Sequence, residues 1–264
     1  MRRAGTNRAD EPLSLSEPPE RPGPLELEGV ALFLDLDGVL APIVSRPEQV
    51  RPDAARTRLL KALQTGLGGR LAVISGRTIA DLDRILDGAV AALAGVHGLE
   101  RRLGDGRTWR AEPSKAVAGA RAAFERVAAA WPGVAIEDKE LSVGVHYRAA
   151  PAALADVREV VERLTPSDDL TAQWGQMVAE LRTPGPDKGD ALTAFMAEAP
   201  FRGSRPIFVG DDLTDEHAFA AAAAAGGFGV LVGPDRPTAA RMRLDTVEAV
   251  YDWLNAAVSG RGAA

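Results

Sequence analysis

Four short polar segments hold the residue types from which phosphate-ester chemistry is built. Asp35-Leu36-Asp37-Gly38 sets two carboxylates two residues apart, and Gly210-Asp211-Asp212-Leu213-Thr214-Asp215-Glu216 is a second acidic cluster. Ser75-Gly76-Arg77 contributes a hydroxyl, and Pro186-Asp187-Lys188-Gly189-Asp190 an ammonium. Two facing acidic clusters repel each other unless a hard divalent cation with oxygen ligands lies between them, and Mg²⁺ is the natural candidate. The Ser75 hydroxyl, the backbone N–H groups around Gly76 and the point charge of Lys188 at a helix start all suit phosphoryl oxygens. A carboxylate nucleophile, a second carboxylate, a metal, a hydroxyl and a lysine are what covalent hydrolysis of a phosphate ester requires. Taken singly, each segment has a plainer reading: a turn, a helix cap, a solvated charge, an acid-rich helix start. Their arrangement along the chain is what joins them.

That arrangement depends on the elements between them. Val30-Ala31-Leu32-Phe33-Leu34, Leu71-Ala72-Val73-Ile74, Ile207-Phe208-Val209 and Val230-Leu231-Val232 are continuous apolar runs, the pattern of parallel strands covered on both faces. Helix-length segments at 53–64, 79–86, 188–198 and 215–225 alternate with them, which predicts an α/β fold with a doubly wound parallel sheet. In such sheets the ligand sits beyond the carboxyl ends of the strands, where three of the polar segments fall and where the lysine segment re-enters the core. Residues 103–186 read differently. A long Ala-rich helix over 114–131, strands at 134–137 and 141–147, a helix over 152–164 and two short strands near Thr171 and Val178 predict an inserted α+β cap. The expected division is a disordered tail over 1–26, a core from 27–102 and 187–258, and a cap over 103–186.

The tail assignment rests on five prolines among charges and serines in residues 1–26. A 264-residue chain that is 46% apolar and 26% charged supports a sizeable core. Net charge of −6 leaves no basic stripe for nucleic acid, and the absence of cysteine excludes thiol catalysis, disulfides and Cys-ligated zinc. The longest apolar stretch, 218–233, is too short and glycine-broken to span a bilayer, and no secretory signal precedes the core. The expectation is a cytoplasmic monomer with a small-molecule partner.

The motifs resemble those of the haloacid dehalogenase superfamily in order: Asp35/Asp37, Ser75, Lys188 and Asp211/Asp212. More narrowly the chain is similar to the trehalose-6-phosphate phosphatases. That likeness is carried by Asp35-Leu36-Asp37-Gly38 with Leu40-Ala41-Pro42-Ile43, Ser75-Gly76-Arg77, His97-Gly98-Leu99-Glu100, Glu137-Asp138-Lys139, His146-Tyr147-Arg148, Glu180, Lys188-Gly189 and Gly210 to Glu216. It extends over about residues 28–256, and departs at Val39, where the family usually has Thr. The resemblance implies that Asp35 attacks phosphorus and that Asp37 serves as general acid and then base. It also implies Mg²⁺ held by Asp35, the Asp37 backbone carbonyl and Asp211, with Asp212 a further ligand or an acceptor beyond the ligand set. Ser75, Gly76 and Lys188 would hold the phosphoryl group. Lys139, Arg148 and Glu180, with His97 and Glu100, would bind the sugar of trehalose 6-phosphate; His97 also fits a cap–core interface or a buried structural histidine. Two rivals stand beside this: another sugar phosphatase, acting on sucrose phosphate or a glycosyl phosphoglycerate, and a non-catalytic phospho-accepting or sugar-sensing module. An acid two residues after the acceptor, and so large a cap, weigh against the second.

Overall fold

The structure, a computed structural model, describes residues 19–44 and 46–260. In chain order the elements are β1 (Val30–Leu34), α1 (Ala54–Gly66), β2 (Leu71–Ile74), α2 (Ile79–Leu86), β3 (Ala92–Gly95), β4 (Glu100–Arg102) and β5 (Thr108–Arg110). They continue with α3 (Ala116–Ala130), β6 (Ala135–Asp138), β7 (Ser142–His146), α4 (Leu154–Leu164), β8 (Thr171–Gly175) and β9 (Val178–Arg182). The chain closes with α5 (Lys188–Met196), β10 (Arg205–Gly210), α6 (Glu216–Ala224), β11 (Phe228–Val232), β12 (Met242–Leu244) and α7 (Val247–Ser259).

The larger sheet has the order β12-β11-β10-β1-β2-β3-β4-β5 and is parallel from β12 to β3. Its central strands are buried on both faces, which explains their unbroken apolar runs. Along β1, Val30, Leu32 and Leu34 pack with α1, α2 and α7, whereas Ala31 and Phe33 pack with α5 and α6. Full burial of each Leu or Phe contributes on the order of 1.5–3 kcal/mol. A helix layer on each face therefore fixes β1 at mid-sheet, with Asp35 at its carboxyl end.

The second sheet, β6-β7-β9-β8, is antiparallel. Its strands alternate: Val143, Val145, Ala179 and Leu181 pack on α3 and α4, leaving Gly144, His146, Val178 and Glu180 on the other face. The polar face looks across a cleft at the carboxyl rim of the larger sheet.

Two expectations are corrected. Residues up to Arg110 belong to the larger sheet, because β4 and β5 extend it antiparallel beyond β3. The predicted tail is ordered where described: Glu20 bridges to Met242, Leu25 is buried, and Trp253 Nε1 donates to Gly23 O at 2.7 Å. Residues 1–18 of that tail lie outside the described residues.

Candidate active site

Asp35 is anchored by its own strand, its N–H donating to Val209 O of β10 at 3.0 Å. The chain then turns back on itself, with Leu40 N bonded to Leu36 O and Gly38 N to Ala41 O, both at 2.8 Å. Gly38 adopts φ +75, and a Cβ there would lie 2.1 Å from Asp211 Oδ2. Only glycine lets the two acidic loops approach so closely.

Lys188 opens α5 behind the N-cap Asp187, which accepts from Gly189 N and Asp190 N. Its side chain runs inward, 2% exposed, and Nζ donates to Asp35 Oδ2 at 2.5 Å and Asp215 Oδ1 at 2.6 Å. Asp215 is fully buried, and its other oxygen accepts from Asp211 N at 2.8 Å and Asp212 N at 3.0 Å. Carboxylate oxygens of Asp35, Asp211 and Asp215 all lie within 4.8 Å of one another. One ammonium against three carboxylates leaves a negative surplus in a buried place. Burial, opposed by Lys188, pushes Asp35 up to about 6; burial and the Asp35 charge push Asp211 up to about 9. Hard oxygen donors with surplus negative charge fit Mg²⁺.

Asp37 is expected at the metal through its backbone carbonyl, and its carboxylate is engaged elsewhere, as is one oxygen of Asp212. Asp37 is forked by Arg77, Nε to Oδ2 at 2.7 Å and NH2 to Oδ1 at 2.8 Å, while Arg77 NH1 donates to Pro47 O at 2.9 Å. Asp212 Oδ1 accepts from Leu213 N at 2.7 Å and caps the turn leading into α6. Ser75 is buried at the end of β2, and Gly76 lies under the His97 ring, where a Cβ would sit 2.5 Å away.

On the cap side, Glu137, Gly144, Glu180 and Gln173 are register partners across β6-β7-β9-β8. Lys139 Nζ reaches Glu180 Oε2 at 3.1 Å and Glu137 Oε2 at 3.4 Å, and His146 Nε2 meets Glu137 Oε2 at 2.9 Å. Although burial opposes its charge, the Lys139 ammonium and then the hydrogen bond from His97 hold Glu180 well below the usual carboxylate range. Arg148 is exposed, donates to Gln176 O at 2.9 Å and lines the same cleft. That cleft, about 860 Å³, has Asp35, Asp37, Lys188 and Asp211 on one wall and Glu137, Lys139, Arg148 and Glu180 on the other.

Glu100 is a correction: it does not reach the cleft. Its Oε1 accepts from Ile79 N at 2.5 Å at the start of α2, and its Oε2 lies 3.6 Å from Arg110 Nε. A helix N-terminus and a guanidinium satisfy it beneath the rim. Sequence reasoning assigned no role to Asp215, Arg77 or Gln173. Asp215 had a signal, since it stands four residues after Asp211 and three after the capping Asp212. Gln173 had none.

A parallel sheet carrying a carboxylate–lysine pair at its carboxyl rim, roofed by an inserted antiparallel sheet, is the fold of the haloacid dehalogenase superfamily. A superfamily phosphatase from Bacteroides thetaiotaomicron superposes with TM-score 0.56 at 21% identity, over 85% of this chain and 92% of that one. Likewise, the C-terminal domain of a Candida albicans trehalose-6-phosphate phosphatase gives TM-score 0.81 at 21% identity, over 93% of this chain and 99% of that one. In sequence, the trehalose-6-phosphate phosphatase of Escherichia coli is 39% identical over 226 residues, 85% of each chain. Residues 33–248 match the trehalose-phosphatase family, and the chain belongs to it.

Proposed function

We propose that the chain hydrolyses trehalose 6-phosphate to trehalose and phosphate through a phosphorylated Asp35, the last step of trehalose biosynthesis, with Mg²⁺ as cofactor. The observation that carries this reading is the shared cleft: Asp35 paired with Lys188 on its floor faces the polar row of the cap. An Asp35 oxygen attacks phosphorus as the bond from phosphorus to the sugar oxygen breaks. Asp37 gives its proton to the departing sugar oxygen, then takes one from the water that cleaves the acyl phosphate, which restores the Asp35 carboxylate and releases phosphate. Asp37 first has to leave the Arg77 fork, because a carboxylate bound at both oxygens has no proton to give. Lys188 and the Ser75–Gly76 segment hold the phosphoryl oxygens, and Asp215 keeps Lys188 aimed. The Asp35 and Asp211 carboxylates would hold Mg²⁺, which would supply positive charge where phosphoryl charge develops. Glu137, Lys139, Arg148 and Glu180 offer donors and acceptors for sugar hydroxyls.

The test is phosphate release from trehalose 6-phosphate with and without Mg²⁺, beside sucrose phosphate, a glycosyl phosphoglycerate and an aryl phosphate. Trehalose 6-phosphate should be turned over best, and chelation should abolish release. Full activity in excess chelator, or preference for another ester, overturns the reading.

A further inference from the structure

His97 belongs to the larger sheet's side of the molecule, in the turn after β3, yet both of its ring nitrogens meet the other side. The Gln173 side-chain amide nitrogen lies 2.8 Å from Nδ1, and Nε2 lies 3.3 Å from Glu180 Oε2. An amide nitrogen only donates, so Nδ1 accepts and Nε2 carries the hydrogen directed at Glu180. The side chain is 12% exposed, and burial lowers its pKa, which keeps the ring in this neutral form.

The backbone beneath it is held in an uncommon conformation. Val96 and His97 take φ +46 and +58, the left-handed region, which a β-branched residue such as Val96 adopts only when its surroundings compel it. Gly76 has no side chain where a Cβ would strike the ring. Strain under one residue, a glycine cleared for its ring, and hydrogen bonds directed wholly across the cleft share one result. The ring bridges the Ser75–Gly76 segment and the β8–β9 pair.

We propose that His97 is a positioning residue: from the larger sheet it holds Gln173 and Glu180, and through Glu180 the Lys139 ammonium, in register above Asp35. It contributes to sugar selection by keeping the two walls of the cleft closed at a fixed separation, rather than by contacting hydroxyls with its own nitrogens. The kinetic part of this inference rests on the trehalose 6-phosphate reading; the conformational part does not.

The chain has no cysteine, so Lys61→Cys on α1 and Ala122→Cys on α3, both exposed, place one label on each side of the cleft. Distances between paired spin labels, read without substrate, should form one narrow distribution in the labelled parent. His97→Ala and Gln173→Leu should each broaden it toward longer distances, and the double variant should add little beyond either single one. In steady-state assays both single variants should lose about tenfold or more in kcat/KM for trehalose 6-phosphate, chiefly through KM, and far less for an aryl phosphate. His97→Asn tolerates the left-handed backbone and keeps a donor and an acceptor, so it should recover part of the loss. Gln173 lies on an edge strand, so its variant remains informative if His97→Ala folds poorly. Parent-like distances in both single variants overturn the proposal, as does an equal decline for both substrates. If the distances shift as expected while the parent does not hydrolyse trehalose 6-phosphate, the bridge stands and the substrate reading fails.

Discussion

At the scale of single residues, the two acids of the first motif occupy different environments, and this separates their expected phenotypes. Asp35 is buried on Lys188, whereas Asp37 is about one-third exposed and forked by Arg77. Asp35→Asn should lose turnover and never take up label from phosphate esters, because an amide forms no acyl phosphate. Asp37→Asn should still be phosphorylated by an aryl phosphate with a good leaving group, which needs little acid assistance. Label on Asp35→Asn, measured by intact-protein mass, would refute the nucleophile assignment. Asp215 yields a stability prediction. It accepts from Lys188 Nζ and two amides while fully buried, so Asp215→Ala should cost about 3–5 kcal/mol in denaturant unfolding and abolish phosphate release. A loss under about 1 kcal/mol would show that Asp35 alone satisfies Lys188 and that the Asp211 and Asp212 amides find other acceptors. Asp35, Lys188 and Asp211 were legible because each follows an apolar strand or opens a helix. Asp215 had only its spacing from Asp211 and Asp212 to mark it, because its inward contact with Lys188 reads locally as part of an acidic helix start. Glu100 misled for the opposite reason: it adjoins His97 in a recognisable motif, yet strand alternation and the N-terminus of α2 turn it beneath the rim.

At the scale of elements, what sequence could reveal follows burial. β1, β2, β10 and β11 are apolar on both faces and were legible within a residue or two, as was α2 over 79–86. β4 is Glu-Arg-Arg and β5 is Thr-Trp-Arg, half-buried or exposed at the sheet's edge, and carry no apolar pattern to read. That is why the larger sheet runs past the boundary expected at residue 103. On the proposed reading the two sheets divide chemistry from selection, and substitutions in each should separate them. Arg148→Ala and Glu180→Ala should depress kcat/KM for trehalose 6-phosphate about tenfold or more, because each removes a charged group from the cleft wall opposite Asp35. Aryl phosphate hydrolysis, confined to the Asp35 wall, should fall far less. Parallel loss of both activities in folded variants would make these residues structural.

At the scale of the whole molecule, the surplus of acid at the cleft floor should couple cation binding to proton release. Asp35 and Asp211 have folded pKa values raised from 3.8 to about 6 and about 9, burial being the main cause. For groups raised in this way, the stability linked to the proton is fully present below the unfolded value and is lost as pH rises through the folded one. The contribution of these two groups to the stability of the cation-free protein should therefore fall between about pH 4 and pH 9, and Mg²⁺, by displacing their protons, should restore more of it at the alkaline end. The rise in Tm on saturating with Mg²⁺ should be larger near pH 9 than near pH 6, and titration calorimetry in two buffers should register protons released on binding. A Tm increment independent of pH would mean the cation binds away from these carboxylates. No helix among the described residues is long and apolar enough to cross a membrane.

The strand order also has a consequence for how the chain is made. β1 pairs with β2 on one side and β10 on the other, and Lys188 lies 153 residues beyond the Asp35 it contacts. A ribosome adding about 5–20 residues per second leaves the β10 edge of β1 without its neighbour for roughly ten to forty seconds. During that interval the segment carrying α3, α4 and the antiparallel sheet emerges whole, and its contacts with one another are local enough to form without β10. The apolar run at 30–34 must meanwhile be shielded by α1, β2 or a chaperone, and the Asp35–Lys188 contact closes only after synthesis has passed Lys188.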